Sequence, residues 1–362
     1  MRLALTGGGT GGHIFPALAV LDAVRLSNPS VEVCFFGPEN RGERTLVEAA
    51  GVPFEAVPSA AVRGRGPIGL VRSAWSLLSG VVTALRSFRR FKPDAVFSTG
   101  GYGSFPGSVA ARLLRRPLVV YLPDVHPGWA VKAERMLATR MTTTTEAALE
   151  FLPPKKTTVT GYPVRETFFT LAREAAREQL GLALDASVLL IAGASQGARA
   201  INAAVGDALP VLCDQAIVFH VTGEAGLAEA SARREVLDPA IRGRYHPAAF
   251  RADLPALMLA ADLGVFRAGA SVLGELPAAA LPSILIPGTF AGGHQRDNAR
   301  WLAENGAAVV LEESAIATFG TTAVEMLRDR PRLDSMRASA RALARPDAAA
   351  AIAAVLMEVA RK

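Results

Sequence analysis

The stretch LTGGGTGGHIFPALAV, residues 5–20, decides how the chain folds. An apolar run, RLALT, ends at Thr6, five of the six residues 7–12 are glycine, and His13 follows before Pro16 opens an apolar segment that reads as a helix. So many glycines cost chain entropy, and they are kept where the backbone must turn sharply or meet a ligand closely. Strand, glycine turn and helix in this order form the start of a βαβ unit, in which backbone N–H groups and the helix dipole face anionic groups. Gly7, Gly9 and Gly12 satisfy G-x-G-x-x-G, so a dinucleotide fold is the first alternative. Its usual partner, an acid closing the second strand about 20 residues on, is missing. VEVCFFGPEN closes on Phe36 and Gly37, and Glu39 lies only in the loop beyond. An NAD- or FAD-dependent redox enzyme also leaves two further glycine loops, STGGYGSFPG (98–107) and GASQGA (193–198), without work.

Outward from residues 5–20 the first half alternates apolar runs with helical stretches: RLALT then 16–27, VEVCFFG then 43–50, DAVFST then 105–114, LVVYL then 129–137. That alternation predicts a parallel sheet covered by helices on both faces. After GYPVRETF (161–168) the pattern restarts with SVLLIAG, AIVFHVTG, LGVFRAG, SILIPG and AAVVLEE, and LLIAGASQGARAIN repeats strand, glycine turn, helix. The expectation is an α/β chain of two doubly wound, Rossmann-like domains facing a cleft, residues 1–163 and 164–335. Residues 336–362, rich in Ala and Arg, form helices that pack back on the first domain. Ligands in such sheets bind beyond the carboxyl ends of the strands, where the glycine loops lie.

The composition fits two packed cores: of 362 residues half are apolar and a fifth charged. A net charge of +6 points to anionic partners. The basic residues come with no nucleic-acid recognition motif, so nucleic acid is not among those partners. Cys34 and Cys213 stand apart in apolar runs and read as free thiols in a reducing compartment. With no signal-like start and no apolar run of about 18 residues, the chain is expected to be cytoplasmic without a transmembrane anchor.

Three strand-loop-helix glycine turns divided between two domains favour two phosphorylated ligands. The motifs GGTGGHIFPALA, STGGYGSFPG, GYPVR, GASQGARAIN, FRAGASVLGE and HQRDNARWL, in this order, resemble those of the MurG family of peptidoglycan glycosyltransferases. The resemblance runs from Leu5 to about Glu313 and implies an inverting GT-B enzyme that needs no cofactor and no metal. Its implied activity moves N-acetylglucosamine from UDP-GlcNAc to lipid I, the undecaprenyl-diphosphate-linked muramyl pentapeptide, giving lipid II. It assigns the donor to the second domain: Gly193, Ser195, Gln196 and Gly197 with Arg165 at the diphosphate, and Glu275, after Gly269, Ala270 and Ser271, at the ribose hydroxyls. His294 and Gln295 fall at the sugar with Asn298 alongside, and residues 250–254, including Arg251, at uracil. A carboxylate suits the ribose because it accepts from two adjacent hydroxyls. The resemblance gives the acceptor diphosphate to Gly9, Thr10, Gly11 and Gly12 together with Gly100, Gly101 and Tyr102.

Where the family carries H-E-Q-N, this chain has Tyr121, Leu122, Pro123 and Asp124. This departure leaves open a different lipid or small-molecule acceptor, or a nucleotide-sugar binding protein without catalysis. Inversion needs a base for the attacking hydroxyl, and His13 and Asp124 are the two candidates. His126 is a weaker one, and His220 and His246 read as structural. Pro277, inside the helix after Glu275, removes a backbone donor and is expected to bend that helix. Arg63, Arg65, Arg72, Arg86, Arg89, Arg90 and Lys92 surround PIGLVRSAWSLLSGVVTAL. The pattern across residues 63–92 suits a helix lying on an anionic membrane surface, which together with the absent anchor implies a peripheral position on the inner face of the cell membrane. A surface helix with its apolar face on the core is the simpler alternative.

Overall fold

A computed structural model describes residues 1–8, 11–40, 42–60, 66–193, 198–288 and 293–361. Two parallel sheets carry the chain. The first contains β1 (Arg2–Thr6), β2 (Glu32–Gly37), β3 (Phe54–Ala56), β4 (Ala95–Ser98), β5 (Leu118–Leu122), β6 (Arg140–Thr143) and β7 (Thr157–Val159) in the spatial order 3-2-1-4-5-6-7. The second contains β8 (Val188–Ala192), β9 (Ile217–Val221), β10 (Tyr245–Ala248), β11 (Leu263–Phe266), β12 (Ser283–Leu285) and β13 (Ala308–Val310) in the order 10-9-8-11-12-13. Each first strand lies centrally, flanked by the second and the fourth, so the order reverses beside each opening glycine loop. That reversal is the ligand-binding point of doubly wound sheets.

The inner strands are apolar on both faces, as a sheet sandwiched between helices requires: every residue of β4, β5, β8 and β11 is buried. Strands β3, β6, β7 and β10 were not among the apolar runs. β3, β7 and β10 lie at sheet edges, and β6 and β7 read RMTT and TTV, so their hydrophobic signal is weak.

The chain divides into two compact units, Met1–Val164 with Pro346–Lys362, and Arg165–Arg345. The crossing back to the first unit therefore falls at residue 346, not 336. Helix Arg330–Ala342 stays with the second unit because Arg330 and Arg337 face Asp262, which also takes Arg173 at 2.7 Å and Arg177 at 2.9 Å. Helix Ala348–Ala360 packs on helix Gly11–Ser27 and on β4 and β6.

The first helix starts at Gly11, five residues ahead of the expected Pro16. Pro16 is the sixth residue of that helix, past the first turn in which N–H groups lack intrahelical partners, so it removes one bond of the ladder. The carbonyl of Gly12, which an N–H at Pro16 would have met, takes the Tyr162 hydroxyl at 3.5 Å.

Candidate active site

In the first unit the glycine loops meet tightly. Gly100 and Gly101 have φ of +78° and +84°, a region where a side chain is strained. A Cβ on Gly101 would lie 2.6 Å from the Gly8 carbonyl oxygen and 3.2 Å from Nε2 of His13, so only glycine lets the two loops touch. The half-buried His13 ring donates from Nδ1 to the carbonyl oxygen of Thr99 at 2.8 Å. A carbonyl only accepts, so Nδ1 carries a proton, and in the neutral ring the lone pair of Nε2 lies beside Gly101. Gly12 lies in the first turn of the helix that starts at Gly11, and Tyr102 is half-buried. Gly9 and Thr10 lie outside the described residues.

Of the four residues that depart from the family pattern, three face inward. Tyr121, Leu122 and Pro123 are buried, and the Tyr121 hydroxyl bonds to Thr144 Oγ1 at 2.7 Å and donates to the Gly161 carbonyl at 3.3 Å. Burial pushes the Tyr121 phenol well above its ordinary value, with the nearby Asp124 charge adding to it. Of these four residues only Asp124 is partly exposed. His126 lies 3.0 Å from Lys132 Nζ, with its ring 4.4 Å from that of Phe151.

Beneath the loop of residues 98–104 lies a group that the sequence motifs did not single out. Glu134, on helix Trp129–Leu137, is 0% exposed. Its carboxyl receives the hydroxyls of Ser98 at 3.0 Å, Ser104 at 2.7 Å and Ser108 at 2.8 Å. Loss of water pushes it up to about 7, against the opposing pull of these three bonds. Its sequence signal was faint: an acid three positions after the buried Val131, on the face that packs inward.

In the second unit Gly193 follows β8, and a Cβ on it would lie 2.6 Å from that of Ala198. Ser195, Gln196 and Gly197 lie outside the described residues. Glu275 occupies the first turn of helix Val272–Ala278, behind the partly exposed Gly269, Ala270 and Ser271. Its surroundings withhold water and push the carboxyl above the usual carboxylate range, while the Ser271 hydroxyl and the Arg165 charge pull it back. Arg165 is itself exposed, and its charge reaches Glu275. Pro277 lies inside that short helix.

Gln295 Oε1 accepts from the Gly288 N–H at 2.8 Å, and His294 begins helix His294–Glu304. Asn298 is fully buried and donates to the Ala268 carbonyl at 3.0 Å, so it holds the turn of Gly269 and Ala270 from behind and does not lie open beside a sugar. Arg251 is clamped on Asp253 at 2.7 and 2.6 Å and lies over the Phe219 ring, which stacks on His246. His220 is buried between Tyr245 and Asn202, and burial lowers it to about 4.

On the outer side of the first unit, helix Pro67–Phe91 exposes Val71, Trp75, Leu78 and Val82, spaced as one face. Trp75 is 75% exposed. The same face continues into exposed Arg86 and Arg89, while Ser73, Ala84, Ser87 and Phe88 are buried on the other side. Arg63 and Arg65 lie outside the described residues. Among the described residues no helix is long and apolar enough to cross a membrane.

The sequence matches the glycosyltransferase family 28 N-terminal domain over residues 3–143 and the glycosyltransferase family 28 C-terminal domain over residues 188–352. It is 38% identical to the UDP-N-acetylglucosamine–N-acetylmuramyl-(pentapeptide) pyrophosphoryl-undecaprenol N-acetylglucosamine transferase of Nitratidesulfovibrio vulgaris, over 99% of this chain and 97% of that one. To the transferase of the same name from Roseiflexus sp. it is 36% identical, over 98% of this chain and 94% of that one. The crystal structure of Acinetobacter baumannii MurG shares the fold, with a TM-score of 0.74 at 24% identity over 99% of both chains. With both domains matched and the relatives aligned end to end, the chain belongs to the MurG family of transferases in glycosyltransferase family 28.

Proposed function

We propose that this chain is an inverting N-acetylglucosaminyltransferase that moves N-acetylglucosamine from UDP-GlcNAc to the muramyl sugar of a polyprenyl-diphosphate-linked pentapeptide, forming lipid II from lipid I. Full-length relatives of that name support the substrates. The observation that carries the chemistry is His13, whose Nδ1–H is committed to Thr99 and whose Nε2 lone pair stands beside Gly101. Nε2 takes the proton of the acceptor hydroxyl while that oxygen bonds to the anomeric carbon and the bond from that carbon to UDP breaks, inverting the centre. Asp124, partly exposed at the end of the departing segment, is the second candidate base.

The glycine loops of the first unit take the acceptor diphosphate through backbone N–H groups at helix starts. In the second unit Glu275 accepts from the ribose hydroxyls, and Arg165 with the turn at Gly193 neutralises the departing diphosphate. Gln295 and His294 lie at the donor sugar, Arg251 and its neighbours at uracil, and Asn298 supports the turn beside them. The exposed stripe of helix Pro67–Phe91, ending in Arg86 and Arg89, rests on an anionic membrane surface and brings the enzyme to a lipid-linked acceptor.

UDP release and product mass after mixing the protein with UDP-GlcNAc and a soluble lipid I analogue test this. A disaccharide-diphosphate product is expected. The departure at residues 121–124 favours one second reading, the same donor used with another acceptor. UDP binding without product from lipid I, with release on offering a different acceptor, decides for it.

A further inference from the structure

We propose that Glu134 is a positioning residue of the acceptor site: its carboxyl holds the loop of residues 98–104 from below, and its proton sets how well that loop takes a diphosphate. This rests on the reading of the glycine loops as the acceptor-diphosphate site. The geometry brackets the loop at both ends. Ser98 closes β4 before it, Ser104 precedes helix Phe105–Leu113 after it, Ser108 lies one turn further, and all three hydroxyls converge on one carboxyl. The Gly100 N–H donates to Ser98 Oγ at 3.2 Å, so the loop backbone, a serine and Glu134 form a continuous chain of hydrogen bonds.

Each serine hydroxyl has one proton to give. Ser104 Oγ lies 2.7 Å from Glu134 and 2.9 Å from the Gly101 carbonyl oxygen, and it serves only one of them at a time. Against an ionised Glu134 the proton goes to the carboxylate, the stronger acceptor. Once Glu134 is protonated its own O–H occupies a serine oxygen, and the Ser104 proton is released toward Gly101. Gly101 touches the Gly8 carbonyl and the His13 ring, so the change is felt where the two loops meet. Val131, one turn earlier on the helix of Glu134, backs Gly100 at what would be 2.9 Å from a Cβ.

Sign follows from charge. A buried anion beneath the loop repels a diphosphate above it, and a neutral acid does not. The charged groups on the helices packed here, Arg112, Lys132 and Arg135, are all exposed, and Tyr121 on β5 is bonded to Thr144. Burial and the three serines alone account for the shift of Glu134.

The test is steady-state kinetics with UDP-GlcNAc and the lipid I analogue from pH 5.5 to 9, on wild type, Glu134→Gln and Ser104→Ala. In wild type the acceptor KM is expected to fall three- to tenfold as pH drops through about 7, with the donor KM constant within twofold. A glutamine cannot ionise, so Glu134→Gln is expected to hold the low-pH acceptor KM at every pH. Ser104→Ala removes one bond that favours the ionised acid and moves the inflection to higher pH. An unchanged inflection in Glu134→Gln, or a donor KM that shifts as much as the acceptor KM, overturns the proposal while leaving the function intact. If Glu134→Gln does not fold, an unmoved inflection in Ser104→Ala overturns it. Wild type that never turns over the lipid-linked acceptor overturns the function, and this proposal with it.

Discussion

Each unit keeps an acid with little access to water, and the two differ in what surrounds them. Glu134 in the first unit is sealed from solvent and satisfied by three serines, so its oxygens are taken up by the protein's own side chains. Glu275 in the second unit keeps part of its surface open near the exposed Arg165, the setting in which the proposed contact with ribose hydroxyls would form. Both have their proton affinity raised by lost water. The contrast shows that desolvation alone does not identify a recognition residue, and that the direction in which the oxygens point separates support from contact.

The largest expected effect belongs to neither acid. His13→Ala is expected to lower kcat by about 10²- to 10⁴-fold, the span of general-base catalysis, with UDP affinity unchanged in calorimetry. A loss that fell on Asp124→Asn instead would move the base out of the loop that Glu134 supports. Next is stability. A carboxyl whose pKa is raised by folding keeps its proton where the unfolded chain has lost it, so its contribution is full below pH 4.5 and is lost as pH rises to about 7. Chemical unfolding of the wild type should therefore lose up to about 3 kcal/mol relative to Glu134→Gln between these limits. A parallel pH dependence of the two proteins breaks the contrast between the acids.

Glu275→Ala should cost about 10- to 100-fold in donor kcat/KM, since a hydrogen bond to a charged group is worth about 1.5–3 kcal/mol. The acceptor KM should stay where it was, and a change confined to it would reverse the roles of the two units. The smallest effect concerns the surface. Trp75→Ala should weaken partition onto vesicles of anionic lipid by roughly tenfold, the loss of one large apolar side chain from the interface. Equal binding of wild type and variant leaves the stripe without a membrane role.

The architecture was readable where the inner strands are continuously apolar and each is followed by glycine and a helix. It was not readable at YHPA or TTV, edge strands whose pairing comes from their neighbours and not from their own composition. The site divides in the same way. Arg165, Glu275 and the glycine loops stand in motifs, and in the structure the Arg165 charge reaches Glu275 and Gly101 lies against His13. What Asn298 does depends on burial, and what Glu134 does depends on three serines distant in sequence, neither of which a linear pattern contains. The tautomer of His13 likewise depends on a carbonyl 86 residues away.

The return of helix Ala348–Ala360 to the first unit bears on the order in which the protein is made. Domains fold largely as they leave the ribosome, the N-terminal one first. Here the whole second unit, Arg165–Arg345, emerges between the two pieces of the first. The earlier piece must wait with the flank of helix Gly11–Ser27 uncovered while the inserted unit folds, and it gains its last cover only when the distal helix arrives. A nascent chain arrested near residue 345 would therefore carry a finished second unit and an unfinished first one, the reverse of their order in the sequence.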